Sequence, residues 1–209
     1  MNRRFEWVIR GDRSGPDSRC DIDLANDSRW AVVPTLGSLV PGWLLLIPRT
    51  PVLSVARLGE VERRAAFNLA SELSEHLIAF GPQRLLLEHG PNREESNVGC
   101  GVDQAHLHVV VTSSDLFGIV LCDPDVHWEE VSVRDPWHGL SKRQEYYLIS
   151  NFERSYVGFA AKSQSQYFRR KIAQAIGKSD CWDYRSWPHY EHAQRTIQYF
   201  AGFTISEAA

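Results

Sequence analysis

Long apolar runs are what this sequence most plainly lacks. The densest, Trp43-Leu44-Leu45-Leu46-Ile47, stops at Pro48, well short of the roughly 18 residues that a membrane-spanning helix needs. The charged start, Met1-Asn2-Arg3-Arg4-Phe5-Glu6-Trp7, is followed by no apolar block, so no signal peptide is visible. Cysteine is sparse as well: Cys20, Cys100, Cys122 and Cys181 lie far apart and form no CxxC pair. That spacing offers neither a structural zinc site nor the disulfide framework of a small secreted domain. It suits free thiols in a reducing cytoplasm. Positive charge is not in excess either. With 23 Lys+Arg against 26 Asp+Glu the net charge is −3, which argues against a general nucleic-acid coat and leaves anionic substrates to local charge.

Apolar side chains are nonetheless plentiful. Of 209 residues 43% are hydrophobic, enough to exclude disorder and to fill one domain with a generous extension. Residues 1–29 are polar and read as an irregular entry segment. Trp30-Ala31-Val32-Val33-Pro34 and Trp43-Leu44-Leu45-Leu46-Ile47-Pro48 read as strands joined by a turn containing Gly37, Pro41 and Gly42. Between Leu58 and Phe80 the period changes. Val61, Ala65, Leu69, Leu73 and Leu77 recur every four residues and predict an amphipathic helix ended by Gly81-Pro82.

Leu85-Leu86-Leu87 predicts a third strand and Val102 to Thr112 a fourth. Farther on the pattern predicts short strands at 131–133, 146–149 and 156–159, then helices at 163–176 and 190–200. Strands, one helix, more strands and then helices make an α+β chain.

The fourth strand holds the chemistry. Side chains alternate along a strand, so Ala105, Leu107, Val109 and Val111 make one apolar face. Gln104, His106, His108 and Val110 make the other. The loop before it, Asn97-Val98-Gly99-Cys100-Gly101, has two glycines two residues apart, which would let backbone N–H groups approach a phosphate closely. Two histidines on one strand face serve as nucleophile, general base, phosphate donors or metal ligands.

The stretch Gln104-Ala105-His106-Leu107-His108-Val109-Val110 resembles the signature of the histidine triad (HIT) superfamily, His-φ-His-φ-His-φ-φ, on a strand after a glycine-containing loop. Upstream, Trp30 to Pro34, then Val40 to Arg49 and an amphipathic helix look like the start of a HIT domain. They lean toward its galactose-1-phosphate uridylyltransferase and dinucleoside-polyphosphate phosphorylase branches. The likeness covers residues 22–112 well, and Ser165 to Arg170 with Trp182 to Arg185 are similar to tails of longer bacterial members. It implies an N-terminal extension at 1–21, a HIT-like antiparallel sheet with a long helix at 22–115, and a strand and helix extension at 116–209 packing on the same domain.

In that superfamily the middle histidine attacks a nucleotide α-phosphate and forms a covalent nucleotidyl-histidine. Here that position is His106, with His108 as the phosphate-binding histidine. The resemblance thus implies a nucleotide or nucleotide-conjugate substrate, a hydrolase, phosphoramidase, phosphorylase or nucleotidyltransferase reaction, no cofactor or metal, and a homodimer. Membrane and nucleic-acid partners are not expected.

Two positions depart from the pattern. Gln104 replaces the first triad histidine, and Pro51 stands where many members have another. Gln104 cannot carry a proton, although its backbone carbonyl remains able to orient His106. Cys100-Gly101 stand where the hydrolase branch has a hydroxyl residue.

Asn97 and Asn92 are candidates for phosphate or ribose, with loop capping as the competing account. Asn26 and Asp27 precede the first strand, where HIT domains build part of the nucleoside pocket, or form a plain turn. Arg49 would lie near the site, Gly99, Cys100 and Gly101 would face phosphate, and His89 would touch substrate or make a structural hydrogen bond. Residues 160–200 carry seven basic and three acidic side chains, a local excess of four positive charges, interleaved with Trp182, Tyr184, Trp187 and Tyr190. Within it Arg169 and Arg170 are candidates for an anionic substrate.

Two other readings remain open. One is a nucleotide-binding module without catalysis. The other takes His106 and His108 as metal ligands in a cupin-like barrel, which the helix at 58–80 does not suit.

Overall fold

Why 102–106 is not strand, and why the histidines sit where they do, follows from how seven strands are laid side by side. The computed structural model describes residues 4–25, 27–140 and 144–201. In chain order these are α1 (Glu6–Ile9), β1 (Trp30–Pro34), β2 (Trp43–Pro48), α2 (Glu60–His76), β3 (Gln83–Gly90), β4 (Leu107–Thr112), α3 (Leu116–Leu121), β5 (Val126–Val131), β6 (Tyr146–Ser150), β7 (Ser155–Ala160), α4 (Tyr167–Ala175) and α5 (Tyr190–Phe200). The strands form one sheet in the order β1-β2-β4-β3-β6-β7-β5, antiparallel at every pairing. The chain is α+β. Strands β5, β6 and β7 come from the C-terminal half and continue the sheet started by β1 to β4.

The β4 alternation places Leu107, Val109 and Val111 on one face, where they join Leu44, Leu46, Leu86, Leu148 and the α2 residues Ala66, Leu69, Ala70 and Leu73. Residues 102–106 do not extend this strand, contrary to the predicted start at Val102. Both ladders stop at Leu107, opposite Leu46 of β2 and Glu88 of β3, although those two strands run on to Pro48 and Gly90. The Ala105 N–H bonds instead to the Val52 carbonyl at 2.7 Å.

The predicted helix survives as α2, but its face is turned. Val61 is 82% exposed while Ala66, Phe67, Leu69, Ala70, Leu73 and Ser74 are buried. At about 100° per residue a four-residue recurrence drifts by about 40° each step, so a stripe anchored at Leu77 has left the core side by Val61. Farther on, the predicted strand at 131–133 is replaced by Val126–Val131. This is an edge strand with only Val126 buried, so it shows little alternation. The α3 helix was not expected; Asp115 caps it by accepting the Gly118 N–H at 3.1 Å.

Two separate blocks cover the other sheet face. Phe5, Trp7 and Val8 pack on Ala31, Val33, Leu45, Ile47 and Val102. Leu116 and Val120 of α3 with Phe168, Ile172 and Ala173 of α4 pack on Leu85, Leu87, Val110, Tyr147 and Ile149. Buried ion pairs stitch the first block down, with Arg4 on Asp21 at 2.7 Å and Arg49 on Asp23 at 2.6 Å. The seam between the blocks lies over β4 and β3, where His108 and His89 project. Among the described residues no helix is long and apolar enough to cross a membrane.

Candidate active site

A cavity opens at that seam. Phe5 lines it from the N-terminal block, Gln166 and Arg169 from the start of α4, Thr35 and Leu36 from the β1–β2 turn, Val102 and His106 from the segment before β4, and Leu45, His89 and His108 from the sheet. Arg4, Cys100 and Tyr184 complete the wall.

His108 on β4 is opposite Leu45 of β2 and Leu87 of β3, and His106 immediately precedes the strand. Their rings lie 5.1 Å apart, with His89 5.6 Å from His108. Exposure is only 8% for His106, 5% for His108 and 4% for His89. Burial disfavours the charged form, so it lowers the pKa of all three: His89 falls to about 3, His106 falls below the ordinary imidazole value and His108 well below it. Each is neutral at pH 7.

A neutral imidazole has one donor nitrogen and one acceptor nitrogen, and fixed partners decide which is which. His106 Nδ1 lies 2.9 Å from the Gln104 carbonyl oxygen, which accepts only, so Nδ1 carries the proton and Nε2 keeps its lone pair. For His108 the order is reversed. The Trp43 indole donates to Nδ1 at 3.1 Å, so the proton is on Nε2. One lone pair and one N–H therefore stand side by side. Arg169 supplies positive charge. Burial lowers its pKa to about 10, which still leaves it protonated at pH 7. Its guanidinium donates to the Gly37 and Leu36 carbonyls and lies 4.7 Å from the Trp43 ring centre. Arg4, the other cation in the wall, is held by Asp21.

The structure thus brings together His106, His108, Cys100 and Arg169 of the residues singled out by sequence. Gln104 contributes its carbonyl alone. Its side chain donates to the Pro48 and Thr50 carbonyls at 2.7 and 3.0 Å, beside the position that Pro51 occupies. Arg49 does not face the cavity: it is spent on Asp23 and on the Asp27 and Val8 carbonyls. Arg170 points elsewhere too, 3.3 Å over the Trp182 ring. Asp27 forms a turn by accepting the Arg29 and Trp30 N–H groups, and Asn26 lies outside the described residues. Asn97 is exposed and caps with its carbonyl.

The glycine loop is not a phosphate nest. The N–H groups of Cys100, Gly101 and Val102 bond to the carbonyls of Asn97, Ser96 and Gly99, so they are used within the turn. Cys100 accepts the Gln166 N–H on its sulfur at 3.0 Å. Burial raises its pKa.

Sequence reasoning weighed His89 mainly as structural, and it passed over Trp43, Thr35, Phe5 and Gln166. No periodic signal marks them, because they meet through register and through α4 folding back. As for metal, the described residues hold one group of three ligand-type side chains within 4.8 Å of one another, His189, Glu191 and His192 at the start of α5. His106 and His108 are not in it, and no carboxylate of the described residues lines the cavity. Comparison with models of known protein families and with curated proteins finds no match to this chain.

Proposed function

We propose that this chain acts on a nucleotide, as a hydrolase or a nucleotidyltransferase, through a covalent intermediate on His106. In the first step the Nε2 lone pair attacks the α-phosphorus. A P–N bond forms, the bond to the leaving group breaks, and the leaving group departs with its electron pair. In the second step water or another acceptor attacks the phosphorus, loses its proton, and the P–N electron pair returns to Nε2. Splitting one displacement in two lets different acceptors use one site.

The observation that carries this reading is the pair of fixed tautomers. Gln104 holds the His106 Nδ1–H at 2.9 Å and frees Nε2, while Trp43 at 3.1 Å turns the N–H of His108 toward the cavity. A nucleophile, a hydrogen-bond donor and the Arg169 cation then face one anion. The HIT resemblance of residues 104–110 supports the same assignment. Preorganised donors stabilise charge developing on phosphoryl oxygens without a metal ion.

The test is incubation with nucleoside phosphoramidates, dinucleoside polyphosphates and nucleotide sugars, followed by intact-mass measurement. The expected result is a nucleotidyl mass on the protein that is lost in His106→Asn along with turnover. Unchanged turnover in that variant removes the mechanism. One observation favours the non-catalytic reading: Phe5 packs 5.7 Å from the His106 ring and helps close the cavity. Tight nucleotide binding with neither adduct nor product from the whole panel would establish that reading instead.

A further inference from the structure

Two polar atoms of residues in the cavity wall have no hydrogen-bond partner among the described residues. The first is on His89. Its ring is enclosed by Phe168, His108 and Tyr147, with ring centres 4.9, 5.6 and 5.8 Å away. Its Nε2 accepts the Phe168 N–H, in the first turn of α4, at 3.4 Å. That acceptor role puts the single proton of the neutral ring on Nδ1. Among the described residues Nδ1 has no partner, although it is fully buried. The second atom is the Thr35 hydroxyl oxygen, equally buried and equally unpartnered among the described residues. Both residues line the same cavity.

Buried polar groups are nearly always satisfied, and two exceptions in one cavity call for an explanation. A bound ligand supplies it. The rest of the wall narrows the ligand's chemistry: His108 offers an N–H, Arg169 a positive charge, and none of the described wall residues is a carboxylate. A wall rich in donors, with a cation and no carboxylate among its described residues, fits an oxyanion.

We infer that His89 and Thr35 are substrate-binding residues, donating the Nδ1–H and the hydroxyl proton to non-bridging oxygens of a phosphate that His108 and Arg169 also hold. The inference rests on the proposed nucleotide chemistry for naming the anion a nucleotide's phosphate. The donor roles do not require the transfer step.

Titration calorimetry of the full chain with inorganic phosphate and with nucleoside 5′-monophosphates tests it. His89→Gln keeps an acceptor at the Nε2 position for Phe168 but removes the Nδ1–H. His89→Asn does the reverse. Thr35→Val keeps the shape and removes the hydroxyl. His89→Gln and Thr35→Val should each weaken the tightest of these ligands roughly tenfold, the scale of one lost hydrogen bond. Thr35→Val should not lower Tm, because its hydroxyl bonds to none of the described residues. His89→Asn should bind within about threefold of wild type while melting lower.

Folded His89→Gln and Thr35→Val proteins that bind as wild type does would overturn the inference, as would a wild-type chain that binds neither phosphate nor any monophosphate. Weakened binding in these variants with no adduct on His106 would retain this subsite and remove the transfer reaction. An adduct with unchanged binding would do the opposite.

Discussion

His106 is oriented by the main chain of Gln104, not by its side chain: the imidazole Nδ1 lies 2.9 Å from the Gln104 carbonyl oxygen. The amide of Gln104 bonds 2.7 and 3.0 Å away to Pro48 and Thr50. The orientation of His106 and the stability of the fold are therefore separable at this residue. Gln104→Ala should change the rate of His106 nucleotidylation by less than about fivefold, because the carbonyl stays. It should cost about 1–3 kcal/mol of stability, because the buried Pro48 carbonyl and the Thr50 carbonyl lose their donor. Urea unfolding and single-turnover mass measurements on the same protein check both halves.

How far these relationships were legible in the sequence depended on whether they were local. The apolar and histidine faces of β4 follow from alternation within one segment, and β1, β2 and α5 appear at the predicted boundaries. What depended on distant partners was hidden. Arg49 looked like a site residue until Asp23 claimed it, and the glycine loop looked like a nest until its N–H groups were found within the turn. His89 could not be ranked above a structural histidine because its partner, the Phe168 N–H, lies 79 positions away. Arg169 and Arg170 are adjacent and chemically identical in sequence; only the helical phase of α4 sends one inward.

That phase yields a sharp contrast. Arg169 is buried against Trp43 and the Leu36 and Gly37 carbonyls, whereas Arg170 stacks on Trp182 away from the cavity. Arg169→Met should weaken nucleotide binding roughly 10- to 100-fold, the scale of a lost charged hydrogen bond. Arg170→Met should stay within about threefold. Equal losses in the two variants would show that the arginines act by general charge and not by position.

Trp43 meets the cavity residues in two ways: its indole N–H holds His108, and its ring lies 4.7 Å from the Arg169 guanidinium. Trp43→Phe preserves an aromatic ring but removes the indole N–H that holds His108 Nδ1 at 3.1 Å. Freed from that donor, His108 can place its proton on either nitrogen, and the population with Nε2–H facing the cavity falls. The expected result is a kcat lowered roughly tenfold with KM changed less. Nitrogen NMR of the imidazole, which distinguishes the tautomers, should show the loss of the single fixed form.

Beside the histidines, Glu88 anchors the opposite sheet face and takes no part in the cavity. Its fully buried carboxylate accepts the Val55 N–H at 2.7 Å, the Trp137 indole N–H at 2.6 Å and the Tyr146 hydroxyl at 2.6 Å. Glu88→Ala leaves three buried donors unpaired, a cost of about 3 kcal/mol or more. A chain of this size should then melt lower by roughly 6–12 °C. Adduct formation below that melting point should persist, since the carboxylate touches no cavity atom.

The histidine cluster should also make the fold acid-sensitive in a defined window. Burial lowers the pKa of His89 to about 3 and also lowers those of His106 and His108, with Arg169 and the neighbouring imidazoles opposing any added charge. The unfolded chain titrates these rings near the ordinary value of about 6.5. Between the two values the unfolded state binds more protons than the folded one, so stability rises with pH. It is complete above about pH 6.5 and lost as pH falls toward 3, by up to about 1.4 kcal/mol per pH unit for each histidine in its window. His89→Gln removes one of these groups while retaining the bond from Phe168. Its urea midpoint should therefore fall less steeply between pH 6.5 and 4 than that of the wild type. Parallel midpoint curves for the two proteins would mean that His89 is protonated as readily in the fold as outside it.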